Sequence, residues 1–190
     1  MERGQATRAE LLGVAERLFT ELGYERTSIS SVLAEAGVSR GAFYHHFASK
    51  EALFENVLES VEARVEATLR RAAARERDPV AAIRAGCRAW LDLAADPTVR
   101  RITLIDAPSV VGWERWREID ERHGFGLLLS GLGATGRVPE PLLHPTAQML
   151  LAATLEAALI VSRAGPRSAE GRNARRAVDE LVGRVLGPST

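Results

Sequence analysis

The 190-residue chain contains one cysteine, Cys87, and one lysine, Lys50. A single cysteine cannot close an internal disulfide, so a disulfide-stapled scaffold is excluded and a reducing compartment fits. Net charge is missing as well: 25 Lys+Arg balance 25 Asp+Glu. Bulk electrostatics therefore give no sign of a nucleic-acid partner, and any such reading must rest on local arrangement. The longest apolar stretch, Ala147 to Val161, is broken by Gln148, Thr154 and Glu156, which leaves it short of the ~20 residues of a membrane span. The opening Met1-Glu2-Arg3-Gly4-Gln5 has no signal-peptide core. No segment alternates like a strand. These absences lead us to expect a soluble, cytoplasmic protein with no membrane partner.

What is present is ordinary globular composition: 46% hydrophobic and 26% charged residues, too apolar for disorder. A chain of this length buries about 70% of its unfolded surface and needs no metal or disulfide to hold its core. Helical periodicity runs from end to end. A capping-box pattern at Thr7-Arg8-Ala9-Glu10 predicts the start of the first helix. Leu11, Val14, Ala15, Leu18, Phe19 and Leu22 follow at helical spacing, and Gly23 closes the helix. Later helices are expected from Thr27-Ser28 to Gly37, from Ser39 to His46 and from Ser49 to about Arg75. Asp78-Pro79 and Asp96-Pro97 are further start signals. Ala107-Pro108 should end a short helix, with a longer one from about Ser109 to Leu132. Gly131 to Pro145 should form a loop, followed by two last helices, about 145–164 and 169–186. The expected fold class is all-α, with about nine helices.

The most informative stretch is Ser30 to Lys50, SSVLAEAGVSRGAFYHHFASK. Two short helices joined by Ala36-Gly37-Val38-Ser39 make a helix-turn-helix, in which the glycine permits the bend and Val38 plugs the angle. The second helix of such a unit lies in the major groove. Phe43 and Phe47, four apart, should pack inward, leaving Arg40, Gly41, Tyr44 and His45 facing out. Arg40 offers a fork of donors suited to guanine or phosphate. Gly41 and Ala42 let the backbone approach the duplex. Tyr44, His45 and His46 can donate to phosphate oxygens. No acid occurs between Ala36 and Lys50, so the chain is locally positive where a duplex would sit. Lys50 also stands at a helix N-terminus, which already favours an anion.

The run from Leu18 to Leu53 resembles the N-terminal signature of the TetR (tetracycline-repressor-like) family of transcription regulators. The resemblance rests on the Gly-Tyr pair after the first helix, Thr27-Ser28, the Ala-Gly-Val-Ser turn, the Phe-Tyr-His-His-Phe block and Ser-Lys-Glu opening the fourth helix. It implies base or backbone contacts to double-stranded DNA from Ser39, Arg40, Gly41, Ala42, Tyr44 and His45, and phosphate contacts from Thr27, Ser28, His46 and Lys50. Ala42 departs from the family pattern, which often has a hydroxyl residue there. The resemblance further implies a helix-turn-helix DNA-binding domain over 1–47 and a ligand-binding and dimerisation domain over 48–190. A homodimer would form through the last two helices, bind a palindromic operator, and be released as helix 4 swings when an effector binds. The apolar faces of those two helices could equally bury within one monomer.

Cys87 and Trp90 on one helix, and Trp113, Trp116 and Phe125 on another, are candidate ligand-binding residues for a small apolar or aromatic effector. The same aromatic spacing also suits a plain core. No enzyme is expected, because His45 and His46 are adjacent, His123 and His144 stand apart, and no catalytic or metal-ligand spacing occurs. No cofactor is expected either. The alternative reading is a helical small-molecule-binding protein that acts through a protein partner rather than DNA.

Overall fold

The computed structural model describes residues 2–187, and among them ten α-helices, two π-helical stretches and no strand. Helix α1 (Glu2–Leu22) starts earlier than the Thr7 capping box predicts, so Thr7 and Glu10 lie inside it. Ala6 and Ala9 are strong helix formers that let the helix propagate toward the N-terminus past the threonine.

The next three helices are terminated by side chains the sequence singled out. Ser28 caps α2 (Ile29–Ala36) by accepting from the Ser31 N–H at 3.0 Å, and the Ser31 hydroxyl oxygen accepts from the Ser28 N–H at 3.1 Å. Gly37 closes α2 at φ 63°, a left-handed conformation that only glycine adopts without strain. Ser39 caps α3 (Arg40–His46), and Ser49 caps α4 (Lys50–Ala73) by accepting from Ala52 N–H at 3.0 Å.

The chain divides into two compact units. The first takes in residues up to Val61 together with Pro97–Trp116. Its core holds Leu11, Ala15, Phe19, Val32, Phe43, Leu53 and Phe54, all with no solvent exposure. Each large side chain so buried contributes about 1.5–3 kcal/mol. Phe19 and Phe54 meet edge-on at 5.2 Å, and Phe54 meets Tyr24 in the same way at 5.2 Å. A π-helical stretch (Val99–Asp106) runs straight into α6 (Ala107–Val110), because Pro108 lies in the first turn, where its missing N–H is harmless. The break expected at Ala107-Pro108 falls instead at Gly112, with φ 82°.

The second unit comprises Glu62–Asp96 and the residues from Arg117 onward. It contains α5 (Pro79–Leu93), whose start is capped by Asp78, and α8 (Gly126–Thr135), α9 (Glu140–Ala164) and α10 (Ala169–Leu186). Helix α7 (Trp113–Asp120) leads through a π-helical turn (Glu121–Phe125) into α8, so the long helix expected over 109–132 is interrupted twice. The loop expected over Gly131 to Pro145 shrinks to 136–139. Gly131 is helical because it packs against α5: a Cβ there would stand 3.1 Å from Ile83 Cγ1. Pro141 sits in the first turn of α9, and Pro145 lies inside that helix.

Helices α9 and α10 pack against each other, and Ala147, Leu150, Ala157 and Val161 of α9 and Ala174, Val178 and Val182 of α10 are all buried. The 25 residues of α9 are long and apolar enough to cross a membrane by length and composition, contrary to the sequence estimate. That same pattern is what a helix packed inside a helical unit requires. The division of the chain also differs from the expected boundary at 47/48. It falls within α4, and the first unit additionally claims 97–116.

Candidate nucleic-acid interface and ligand cavity

In the first unit, α3 presents one face to solvent. Arg40, Gly41, Tyr44 and His45 are exposed, as are Ser28 and Ser39 before their helices, while Phe43 and Phe47 are buried beneath. Tyr44 is 49% exposed, high for so large an aromatic. Its ring meets Phe43 edge-on at 5.2 Å, which fixes its stem while leaving the hydroxyl outward. The Arg40 guanidinium donates to the Ser30 hydroxyl at 3.3 Å, a single neutral bond that leaves most of its donors available. Ala42 and His46 are half-buried at the edge of this face.

Two of the expected phosphate contacts are placed differently. Thr27 is 1% exposed, and its hydroxyl donates to the carbonyls of Gly23 at 2.8 Å and Leu18 at 3.2 Å. It fastens the end of α1 and has no hydroxyl to offer a phosphate. Lys50 donates from Nζ to the carbonyls of Tyr24 at 3.0 Å and Thr27 at 3.1 Å, and its ammonium lies 3.9 Å from the Tyr24 ring centroid. Two of its three N–H groups are thus used in clasping the α1–α2 turn to the start of α4. Burial, aided by Glu51 and Glu25, pushes the Tyr24 phenol above its ordinary pKa.

The same turn is held from its other side by a residue sequence reasoning missed. Asp106, 7% exposed, accepts from the Tyr24 backbone N–H at 2.8 Å and from Arg101 Nε at 3.1 Å. Only its position in an amphipathic helix could have been read from the chain, and the partner 82 residues away gives no local signal.

The second unit encloses a cavity of about 300 Å³, at the lower end of the range for small-molecule sites. Val65, Leu69, Ile83, Trp90, Leu127 and Leu155 contribute its apolar wall. Cys87 also lines it, and burial pushes the thiol up to about 11, so it stays protonated and unreactive. Of the five expected ligand residues, Cys87 and Trp90 reach this cavity and the other three do not. Trp116 is buried at 3% in the first unit, with Trp113, itself 57% exposed, at 5.0 Å from it. Phe125 pairs with His144 at 4.9 Å. Both tryptophans belong to the first unit, which ends at Trp116, and only Trp116 of the two enters its core.

The polar part of the cavity wall was not anticipated. Glu62, Glu66, Asp120, His123 and Thr154 all line it. The Glu66 carboxylate is bonded to His123 Nδ1 at 2.9 Å and accepts from Arg70 Nε at 2.8 Å, and the two partners hold it below its ordinary pKa. Asp120 has no hydrogen bond among the described residues, and burial raises its pKa to about 6. No group of three or more His, Cys, Asp or Glu side chains is disposed to hold a metal among the described residues.

A surface helix set on a helix-turn-helix corner, with a separate helical unit enclosing a cavity, is an arrangement matched by known proteins. The family model described as tetracyclin repressor-like, C-terminal domain, matches residues 80–185, and that of the bacterial regulatory proteins, tetR family, matches residues 11–57. The chain belongs to the TetR family. It is 42% identical over 60 residues to the HTH-type transcriptional regulator TtgR of Pseudomonas putida, covering 32% of this chain and 29% of that protein. It is 35% identical over 79 residues to UidR of Escherichia coli, covering 42% of this chain and 37% of that protein. The matches to these curated relatives thus span well under half of their length. A TetR-family regulator from Pectobacterium atrosepticum aligns with a TM-score of 0.83 at 29% identity, over 100% of this chain and 99% of that one. The reduced form of Escherichia coli NemR aligns at 0.70 and 27% identity, over 95% and 97%. TetR-family members are transcriptional regulators rather than enzymes, and they bind DNA operators, typically as dimers with small-molecule effectors.

Proposed function

We propose that this protein is a cytoplasmic, homodimeric repressor that binds a palindromic operator and leaves it when a small, largely apolar molecule fills the cavity of the second unit. The observation that carries the reading is the outward face of α3, where Arg40, Gly41, Tyr44 and His45 are exposed over a fully buried Phe43. Ser28, Ser39, Ala42 and His46 complete the contact surface, and Lys50 retains one N–H for a phosphate. That placement supports major-groove reading by the N-terminal part of α3. Helix α4 supplies the route for release. Leu53, Phe54 and Val57 anchor it in the first unit's core, while Glu62, Val65, Glu66 and Leu69 of the same helix line the cavity. An effector that favours a shifted α4 draws the population from the DNA-bound form in proportion to its differential affinity.

For the dimer, α9 and α10 keep apolar side chains outside after their mutual packing: Met149 at 66%, Leu142 at 53% and Val185 at 39% exposure. Single exposed apolar residues are common, but three on adjacent helices of a family that dimerises suit a partner copy. DNase footprinting on the region upstream of the protein's own gene, combined with sedimentation, tests the proposal. The expected result is a sedimenting dimer and a protected site with two-fold sequence symmetry and half-sites spaced by whole helical turns. A monomer, or protection without symmetry, overturns it.

A further inference from the structure

From the acidic lining of the second unit's cavity we infer that the effector is a lipophilic cation, a protonated amine with an apolar body. The inference rests on reading the cavity as the effector site and specifies the chemistry of that site. Among the residues that line the cavity are three carboxylates, Glu62, Glu66 and Asp120, against one histidine, and no arginine or lysine. They lie on two segments that one bond joins. Glu62 and Glu66 lie one turn apart on α4, the Glu66–His123 bond crosses to the segment after α7, and Asp120 stands one turn before His123.

The charges along this wall are unequally matched. Glu66 is satisfied by His123 and by Arg70, whose own side chain is 60% exposed outside the wall. Glu62 is 3% exposed. Among the described residues Asp120 has no hydrogen bond, and Arg117, Glu121 and His123 act on it through space from its own stretch. Glu62 and Glu66 are the ionisable wall groups contributed by α4, and the protonated Cys87 is the one contributed by α5. Burying a carboxylate without donors is costly, and the raised Asp120 pKa of about 6 registers that cost. An ammonium would bring up to three donors and a compensating charge. A fatty anion would add a like charge in a low-dielectric space. A neutral alcohol would bring one donor but no compensating charge. The apolar wall, with Trp90 among it, takes the body of the guest, and an aromatic face also attracts a cation.

Three ten-carbon probes that differ in head group decide the matter: decylammonium, 1-decanol and decanoate. Each is titrated at pH 7.5 into the full-length protein against the neutral dye N-phenyl-1-naphthylamine. The expected order is decylammonium at least tenfold tighter than 1-decanol, with decanoate weakest, and Asp120→Asn should narrow the amine-to-alcohol ratio to threefold or less. Equal or tighter binding of 1-decanol or decanoate by the wild type overturns the inference while leaving the cavity an effector site. So does a ratio unchanged in a folded Asp120→Asn. If neither dye nor any probe binds, the effector-site reading falls with it. The wild-type ranking stands by itself if the variant fails to fold.

Discussion

The two units present opposite surfaces to a partner. The first offers a convex face: α3 carries guanidinium, phenol and imidazole groups outward on a rigid base of Phe43 and Phe47. The second holds a cavity with apolar walls and three carboxylates in its lining. One is shaped for a polyanion and has no acid from Ala36 to Lys50. The other concentrates acids where a small guest would sit. A net charge of zero is the sum of these local imbalances, so the balance says nothing about either surface.

The largest expected effect tests whether the convex face depends on its base. Phe43→Ala removes a fully buried ring from the first unit and should cost about 3–5 kcal/mol. Thermal denaturation followed by circular dichroism should show a lower Tm, with DNA binding lost. An unchanged Tm would mean α3 is not held as described.

Second, the Asp120 site should make stability fall with pH. Its folded pKa, about 6, lies above the ordinary 3.8, so the folded state holds the proton more tightly than the unfolded chain. This contribution is complete below about pH 4 and is lost as pH rises through 6. Asp120→Asn should therefore gain stability relative to wild type between pH 4 and 8, by about 1–3 kcal/mol. Parallel melts at the two pH values check the sign, and a gain at pH 4 that disappears at pH 8 would contradict it.

Third, Lys50→Met should lower stability by about 1–2 kcal/mol through the lost carbonyl bonds and change the salt slope of DNA binding by no more than about one. A fall in affinity with no change in melting would restore Lys50 to a purely phosphate-directed role. The smallest effect is expected from Cys87→Ser in the cavity wall. Reaction of the native thiol with a disulfide reagent at pH 7.5 should be slow, since a pKa of about 11 leaves it protonated.

The same contrast explains what could be read from the chain. The helix-turn-helix was legible because its determinants are local: Ser28, Gly37 and Ser39 act within a few residues of where they stand, and Phe43 and Phe47 declare one face by spacing. Thr27 and Lys50 carry bonds that the sequence did not announce: the Thr27 hydroxyl turns back to the Gly23 and Leu18 carbonyls at the end of α1, and Lys50 reaches the Tyr24 and Thr27 carbonyls, which depends on how the α1–α2 turn meets α4. The cavity was half legible. Cys87 and Trp90 lie on the inward face of α5, but Glu62 and Glu66 come from α4 and Asp120 and His123 from the end of α7 and the turn after it, and no periodicity encodes the approach of the two segments at Glu66 and His123. Trp116 is buried away from the cavity and Trp113 is exposed, because hydrophobic spacing does not say which surface a helical face meets. The glycines and prolines of 131–145 suggested a loop, yet Gly131 serves close helix packing against Ile83.

Fluorescence anisotropy tests the central claim most directly, with a labelled duplex from upstream of the protein's own gene set against a scrambled duplex of equal length, across a salt series. The account predicts preference for the native duplex, affinity that falls steeply with salt, and a loss of about 1–3 kcal/mol in that preference for a folded Arg40→Ala. Equal binding to both duplexes, or an Arg40→Ala variant that discriminates as well as wild type, would contradict it.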